Sequence, residues 1–241
     1  ITFLVGSTNL LKSQNYVWAR SFGSPTYDDW RATAIDAAGN VIAVGSFSGT
    51  VDFDPGAGVY NLTATAGGDD IFIMKLTSAG NFVWARRLGT TTDEVAADVI
   101  CDASSNIYVV GSFNGTVDFD PGAGVTNLTS AGSSDVCMFK LNSLGNFVWA
   151  RNMGGTGSDW ASAIDIDNLN ANVYITGTFI GTADFNPSAT TNNLVIRGGQ
   201  DIFVGKYDVN GNYVWAQSMG GTVADYGYDL KVDNLNNYVY C

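Results

Sequence analysis

Three pairs of oxygen-bearing side chains are the residues best suited to chemistry: Asp52 with Asp54, Asp118 with Asp120, and Asp184 with Asn186. Each pair lies in one phrase, GTVDFDPGAGV from Gly49 and from Gly115, and GTADFNPSATT from Gly181. Residues i and i+2 of a strand face the same way, so each pair presents two oxygen ligands at a strand end. Carbonyls of the Gly-rich turn that follows can extend such a shell, which suits a hard cation, and Ca²⁺ is the cofactor expected. The pattern departs from the D-x-[DN]-x-[DN]-G calcium loop, because Gly56, Gly122 and Ser188 stand at the third ligand position. The competing reading assigns the same aspartates to turn capping or to ion pairs with strand lysines.

Other chemistry is narrower. The chain has no His, which removes Ser-His-Asp and Cys-His nucleophile activation and His-ligated zinc. Cys101, Cys137 and Cys241 lack metal-site spacing and replace apolar residues of sister segments, so they read as small buried hydrophobes. Adjacent acids occur at Asp28-Asp29, Asp69-Asp70 and Asp93-Glu94, and glycoside hydrolysis needs two flanking carboxylates. These pairs largely follow a repeat, whereas a catalytic pair should break one. The expectation is no enzyme, with a carbohydrate-active site at a central mouth as the alternative.

The elements that position these groups are set by internal repetition. NYVWAR at Asn15, NFVWAR at Asn81 and Asn146, and NYVWAQ at Asn212 place Trp18, Trp84, Trp149 and Trp215 at intervals of 66, 65 and 66 residues. In the unit near Asp93 the strand signals are VAADVICD, NIYVVGSF, DVCMFKL and NFVWARNMG, with tight turns in DASSN and NSLGN. The segment between the second and third adds a short strand, TVDF, and an excursion, NLTS. Four-stranded antiparallel units of about 66 residues at fixed spacing predict an all-β β-propeller, with a β-solenoid as the alternative.

Segmentation follows as full units over 25–90, 91–155 and 156–221, the last two strands of a unit over 1–24 and the first two over 222–241. Four blades result if the ends pair in one sheet; otherwise the chain is part of a larger propeller. The phrase tryptophans are expected to pack between blades. Lys75, Lys140 and Lys206, like Arg20, Arg86 and Arg151, are expected to be structural, pairing with a repeated acid or marking a solvated strand face.

Composition agrees. Of 23 acidic residues only Glu94 is Glu, and 29 residues are Gly, a chemistry of turns and strands rather than helices. A net charge of −12 with 11 basic residues argues against nucleic acid as a partner. No apolar run is long enough to span a bilayer as a helix, and the opening ITFLVGS shows no signal-peptide pattern.

The phrases DWASAIDIDNLNANVYITG, GTVDFDPGAGV, NLTSAG, DIFIMKL and GNFVWAR resemble SBBP-type β-propeller repeats of secreted proteins from Bacteroidetes-like bacteria, many exported by type IX secretion. The resemblance implies a non-catalytic module, secreted or at the cell surface, that meets a protein or glycan partner in adhesion, ligand binding or scaffolding. A structural repeat of an extracellular fibre is a further alternative.

Overall fold

A computed structural model of the chain describes residues 18–236 and 238–241, and all of its regular elements are β-strands. The first sheet has the order β1 (Asp28–Ile35), β2 (Val41–Phe47), β5 (Asp70–Leu76), β6 (Phe82–Leu88), with the hairpin β3 (Thr50–Asp52) and β4 (Asn61–Thr63) between β2 and β5. The second contains β7 (Val95–Cys101), β8 (Ile107–Asp118), β9 (Asn127–Leu141) and β10 (Phe147–Gly155). The third repeats the first as β11 (Trp160–Asp167), β12 (Asn172–Phe179), β15 (Asp201–Asp208) and β16 (Tyr213–Met219), with β13 (Thr182–Asp184) and β14 (Asn193–Val195) as its excursion. A two-stranded sheet, β17 (Lys231–Asp233) with β18 (Tyr238–Tyr240), follows.

Every pairing between named strands is antiparallel, and the four main strands of each full unit pair with one another in chain order. A solenoid would instead stack parallel coils, so that alternative is set aside. The first strands of successive units lie side by side, β1 against β7, β7 against β11 and β11 against β17. They form a hub, and the fourth strands face the rim, as in a propeller. The pairing that would close the units into a ring of four falls partly on residues 1–17, outside the described residues.

Cores lie between blades. Val44 and Ile73 of the first blade meet Val109 and Phe139 of the second. Val110 and Met138 on the second blade's other face meet Ile164 and Ile175 of the third. Second and third strands are therefore buried on both faces, and all seven residues of β5 are buried. That double burial explains why DIFIMKL reads as a nearly continuous apolar run instead of an alternation.

The first strand of each full unit carries a bulge, at Trp30/Ala32, Ala96/Asp98 and Ala161/Ala163. Opposite stand Gly45, Gly111 and Gly177, where a Cβ would come within 1.9, 1.8 and 1.9 Å of the carbonyls of Asp29, Val95 and Trp160. The repeated GSF or GTF thus accommodates a bulge in the neighbouring strand.

The excursion departs from the sequence reading in one respect. β13 pairs with β14 but also with β10 of the preceding blade, Gly154 opposite Asp184 and Gly155 opposite Ala183. The third unit's excursion therefore leans on the rim of the blade before it.

Candidate functional site

In all three DFD or DFN phrases the central Phe is fully buried: Phe53, Phe119 and Phe185. They pack on Phe72, Phe139 and Phe203 with ring centroids 5.2, 5.7 and 4.4 Å apart. With the Phe inward, the flanking oxygens fold the loop. Asp52 Oδ1 accepts the N–H groups of Asp54 (3.0 Å) and Tyr60 (2.8 Å), and Asp54 Oδ1 accepts that of Gly56 (2.8 Å). Asp118 and Asp120 repeat the arrangement toward Asp120, Thr126 and Gly122. In the third copy Asp184 serves Asn186 and Asn192, and Asn186 serves Ser188. These are Asx turns, in which one oxygen of each side chain satisfies loop N–H groups that would otherwise lack partners. Among the described residues no three Asp, Glu, Cys or His side chains gather as a metal cage.

The repeated cations reach forward into the next blade. Arg86 stacks on Trp84 of its own strand, 5.3 Å to the ring centroid, and donates Nε to Gly145 O at 3.2 Å and Nη2 to Leu144 O at 3.3 Å. Arg151 does the same with Trp149, Gly211 O and Asn210 O, and Arg20 Nε reaches Gly80 O. Lys75 sits 2.8 Å from Asp36 and also donates to Ser143 O at 3.1 Å. Lys140 stands 3.9 Å from Asp102 and 4.6 Å over the Tyr108 ring, and Lys206 lies 5.2 Å over Tyr174. Each turn before a fourth strand thus receives cations from the blade before it.

At the hub, carboxylates staple neighbours. Asp98 Oδ2 accepts the Ile164 N–H at 3.0 Å, and Asp165 Oδ2 accepts the Val232 N–H at 2.9 Å. Both bonds join the first strands of successive blades. Of the adjacent acids, Asp29 pairs with Arg31 and Asp28 accepts the Ser24 N–H. Asp70 pairs with Arg87, and Glu94 accepts the Thr90 N–H and the hydroxyls of Thr90 and Thr92. The structure gives each of these four a local partner.

The sequence reading did not recognise that one acid in each third strand is buried in the same way. Asp70, Asp135 and Asp201 are at most 1% exposed, and the Oδ1 of each has no hydrogen-bond partner. A signal was present, since an Asp begins each of DIFIMKL, DVCMFKL and DIFVGKY.

All three cysteines are free thiols. Cys137 is buried in the core and Cys101 is half-buried, but Cys241 is exposed, contrary to its reading as core filler. Among the described residues nothing covers that side of the short β17–β18 sheet as a further strand would.

No protein-family model matches the chain. It is 32% identical over 257 aligned residues to an uncharacterized WD repeat-containing protein of Acanthamoeba polyphaga mimivirus, covering 88% of this chain and 18% of that protein. It is 25% identical over 212 residues to the regulatory protein FlaEY of Caulobacter vibrioides, covering 86% and 21%. This is a β-propeller-like repeat protein. The propeller-like chain spans about a fifth of the length of these curated relatives. Among its described residues no helix is long and apolar enough to cross a membrane.

Proposed function

We propose that this propeller-like chain is a non-catalytic scaffold and binding module of a secreted or cell-surface bacterial protein, meeting a protein or glycan partner. The observation that carries the reading is where the repeated polar residues go. The repeated Arg residues, Lys75, Lys140 and the loop Asp residues bond to the neighbouring blade or to their own turn, and Trp18, Trp84 and Trp149 pack on the next turn's glycine, so the copied chemistry is architectural. Binding then belongs to rim and loop positions where copies differ, such as Asn186 and Ser188 against Asp54 and Gly56. Exposed aromatic residues favour a glycan or protein surface: Tyr226 and Tyr228 stack 6.1 Å apart, and Tyr228 is 76% exposed.

The test has two arms. The purified chain is presented to a glycan and protein array and, in parallel, incubated with polysaccharide and peptide libraries. Saturable binding without turnover is the expected result. Turnover by a homogeneous sample would overturn the non-catalytic reading, and protection of the chain from protease added to intact source cells would overturn the surface location.

A further inference from the structure

The junction between the second and third blades differs from the junction before it in one decisive position. In the first junction the buried Asp70 carboxylate is paired with Arg87, whose position is fixed opposite Phe72 in the β5–β6 ladder. In the second junction the equivalent acid is Asp135, and the residue opposite Cys137 in the β9–β10 ladder is Asn152. The built-in cation is gone, yet negative charge remains. Asp135 is 1% exposed and Asp159 is fully buried beside it, both close to Gly154, where a Cβ would come within 2.6 Å of Asp135 Cγ and 2.9 Å of Asp159 Oδ2.

The surroundings are rich in oxygen. A cleft of about 230 Å³ is lined by Asp135, Asn152, Asp184, Asn186 and Ser188. Asp135 Oδ2 accepts the Ala131 N–H at 2.9 Å, whereas Oδ1 has no partner. Asp184 uses Oδ1 for its Asx turn, which leaves Oδ2 outside the turn's own bonds. Asp159 is held differently, both oxygens accepting backbone N–H groups, of Gly155 and Ile180. Asn152 lines the same cleft as a neutral donor, its Nδ2 reaching Thr129 O at 3.2 Å.

We infer that this cleft binds a hard divalent cation, Ca²⁺, with Asp135 and Asp184 as charged ligands and Asn186 and Ser188 supplying neutral oxygens, at the junction where the neutral Asn152 stands in place of the preceding blade's Arg87. Two carboxylates with amide, hydroxyl and water oxygens suit Ca²⁺, which tolerates irregular shells of six to eight ligands. The inference moves the cation expected from the DFD phrases to one copy only. In that copy the loop meets an uncompensated acid from the neighbouring blade.

The experiment is calorimetric titration of the chelator-treated chain with CaCl₂, alongside melting curves with CaCl₂ and with excess chelator. The parent chain is expected to bind one Ca²⁺ and to melt higher with it. Asp135→Asn should weaken binding at least about tenfold, and Asp118→Asn, in the preceding loop, should leave it unchanged. Asn152→Arg transplants the first junction's guanidinium and should abolish the calcium response while the chain stays folded. Absence of heat and of a melting shift in the parent would overturn the proposal, as would Ca²⁺ binding retained by Asn152→Arg or lost in Asp118→Asn.

Discussion

The indole of Trp149 lies against Gly211 of the next blade so closely that a Cβ on the glycine would meet the ring at 3.0 Å. Gly211 has φ +75°, a region that L side chains avoid, so two independent constraints select glycine there. Trp84 stands over Gly145 and Trp18 over Gly80 in the same way. The phrases at Gly80 and Gly145 therefore each carry a glycine that receives the preceding blade's indole and an indole that seats on the following blade's glycine.

Gly145→Ala tests that contact against an internal control. Gly145 and Gly115 have nearly the same backbone, φ +76° and +74°, but a Cβ at Gly115 meets nothing within 4 Å, whereas at Gly145 it comes within 3.1 Å of the Trp84 ring. Gly115→Ala should cost only the left-handed strain, about 1–2 kcal/mol. Gly145→Ala should cost about 2–4 kcal/mol, because the indole must also shift. Urea unfolding of the two variants separates the backbone from the packing contribution.

The Asp36–Lys75 pair gives a pH signature. Burial pushes the Asp36 carboxyl up, but Lys75, Asn40 and the Ala38 N–H together outweigh it and hold the group at about 2. The folded value lies below the unfolded value of about 3.9. Its stabilisation is thus complete above that value and is lost as pH falls through 2. Asp36→Asn should melt below the parent at pH 6, with the gap closing between about pH 4 and pH 2; a gap constant over that range would refute the assignment.

Removing a hub staple should loosen one blade boundary. Asp98→Ala leaves the Ile164 N–H without its acceptor, a loss of about 1–3 kcal/mol. Hydrogen exchange should quicken at Ile164 while amides within β5 change little. Unchanged protection at Ile164 would mean that another acceptor satisfies it.

The thiols should separate by burial. Cys241 should react with a disulfide reagent in the folded protein, whereas Cys137, fully enclosed, should react only after denaturant is added. Cys101 should lag far behind Cys241, because burial pushes its thiol up to about 12 and leaves little thiolate at neutral pH. Mass spectrometry of a timed labelling reaction reads the order.

The four strands of each unit were legible because the turns are spelled out locally. Asp36, Asp102 and Asp208 each accept two backbone N–H groups within four residues, so the boundary between strands is written at one side chain. The forward reach of Arg86 and Arg151 was only partly legible: their repetition indicated structure, but their carbonyl partners lie about 60 residues away. Pairing of β13 with β10 was invisible for the same reason. So was the unpaired oxygen of Asp135, since an Asp before an apolar run looks like an ordinary strand cap until two blades close over it. Cys241 was misread because repeat alignment reports the environment of a complete unit, not of two short strands.

The coupling of indole to glycine also bears on how such a chain changes over generations. A tandem duplication one repeat long, wherever its breakpoints fall, inserts a blade with a matching donor for one neighbour and a matching acceptor for the other. Copy number can then rise or fall by unequal recombination without a new interface having to arise by point mutation. Divergence is left free to accumulate where blades do not touch, and the contrast of Arg87 with Asn152 and Ser218 at equivalent positions shows that even a boundary can carry different chemistry from one blade to the next.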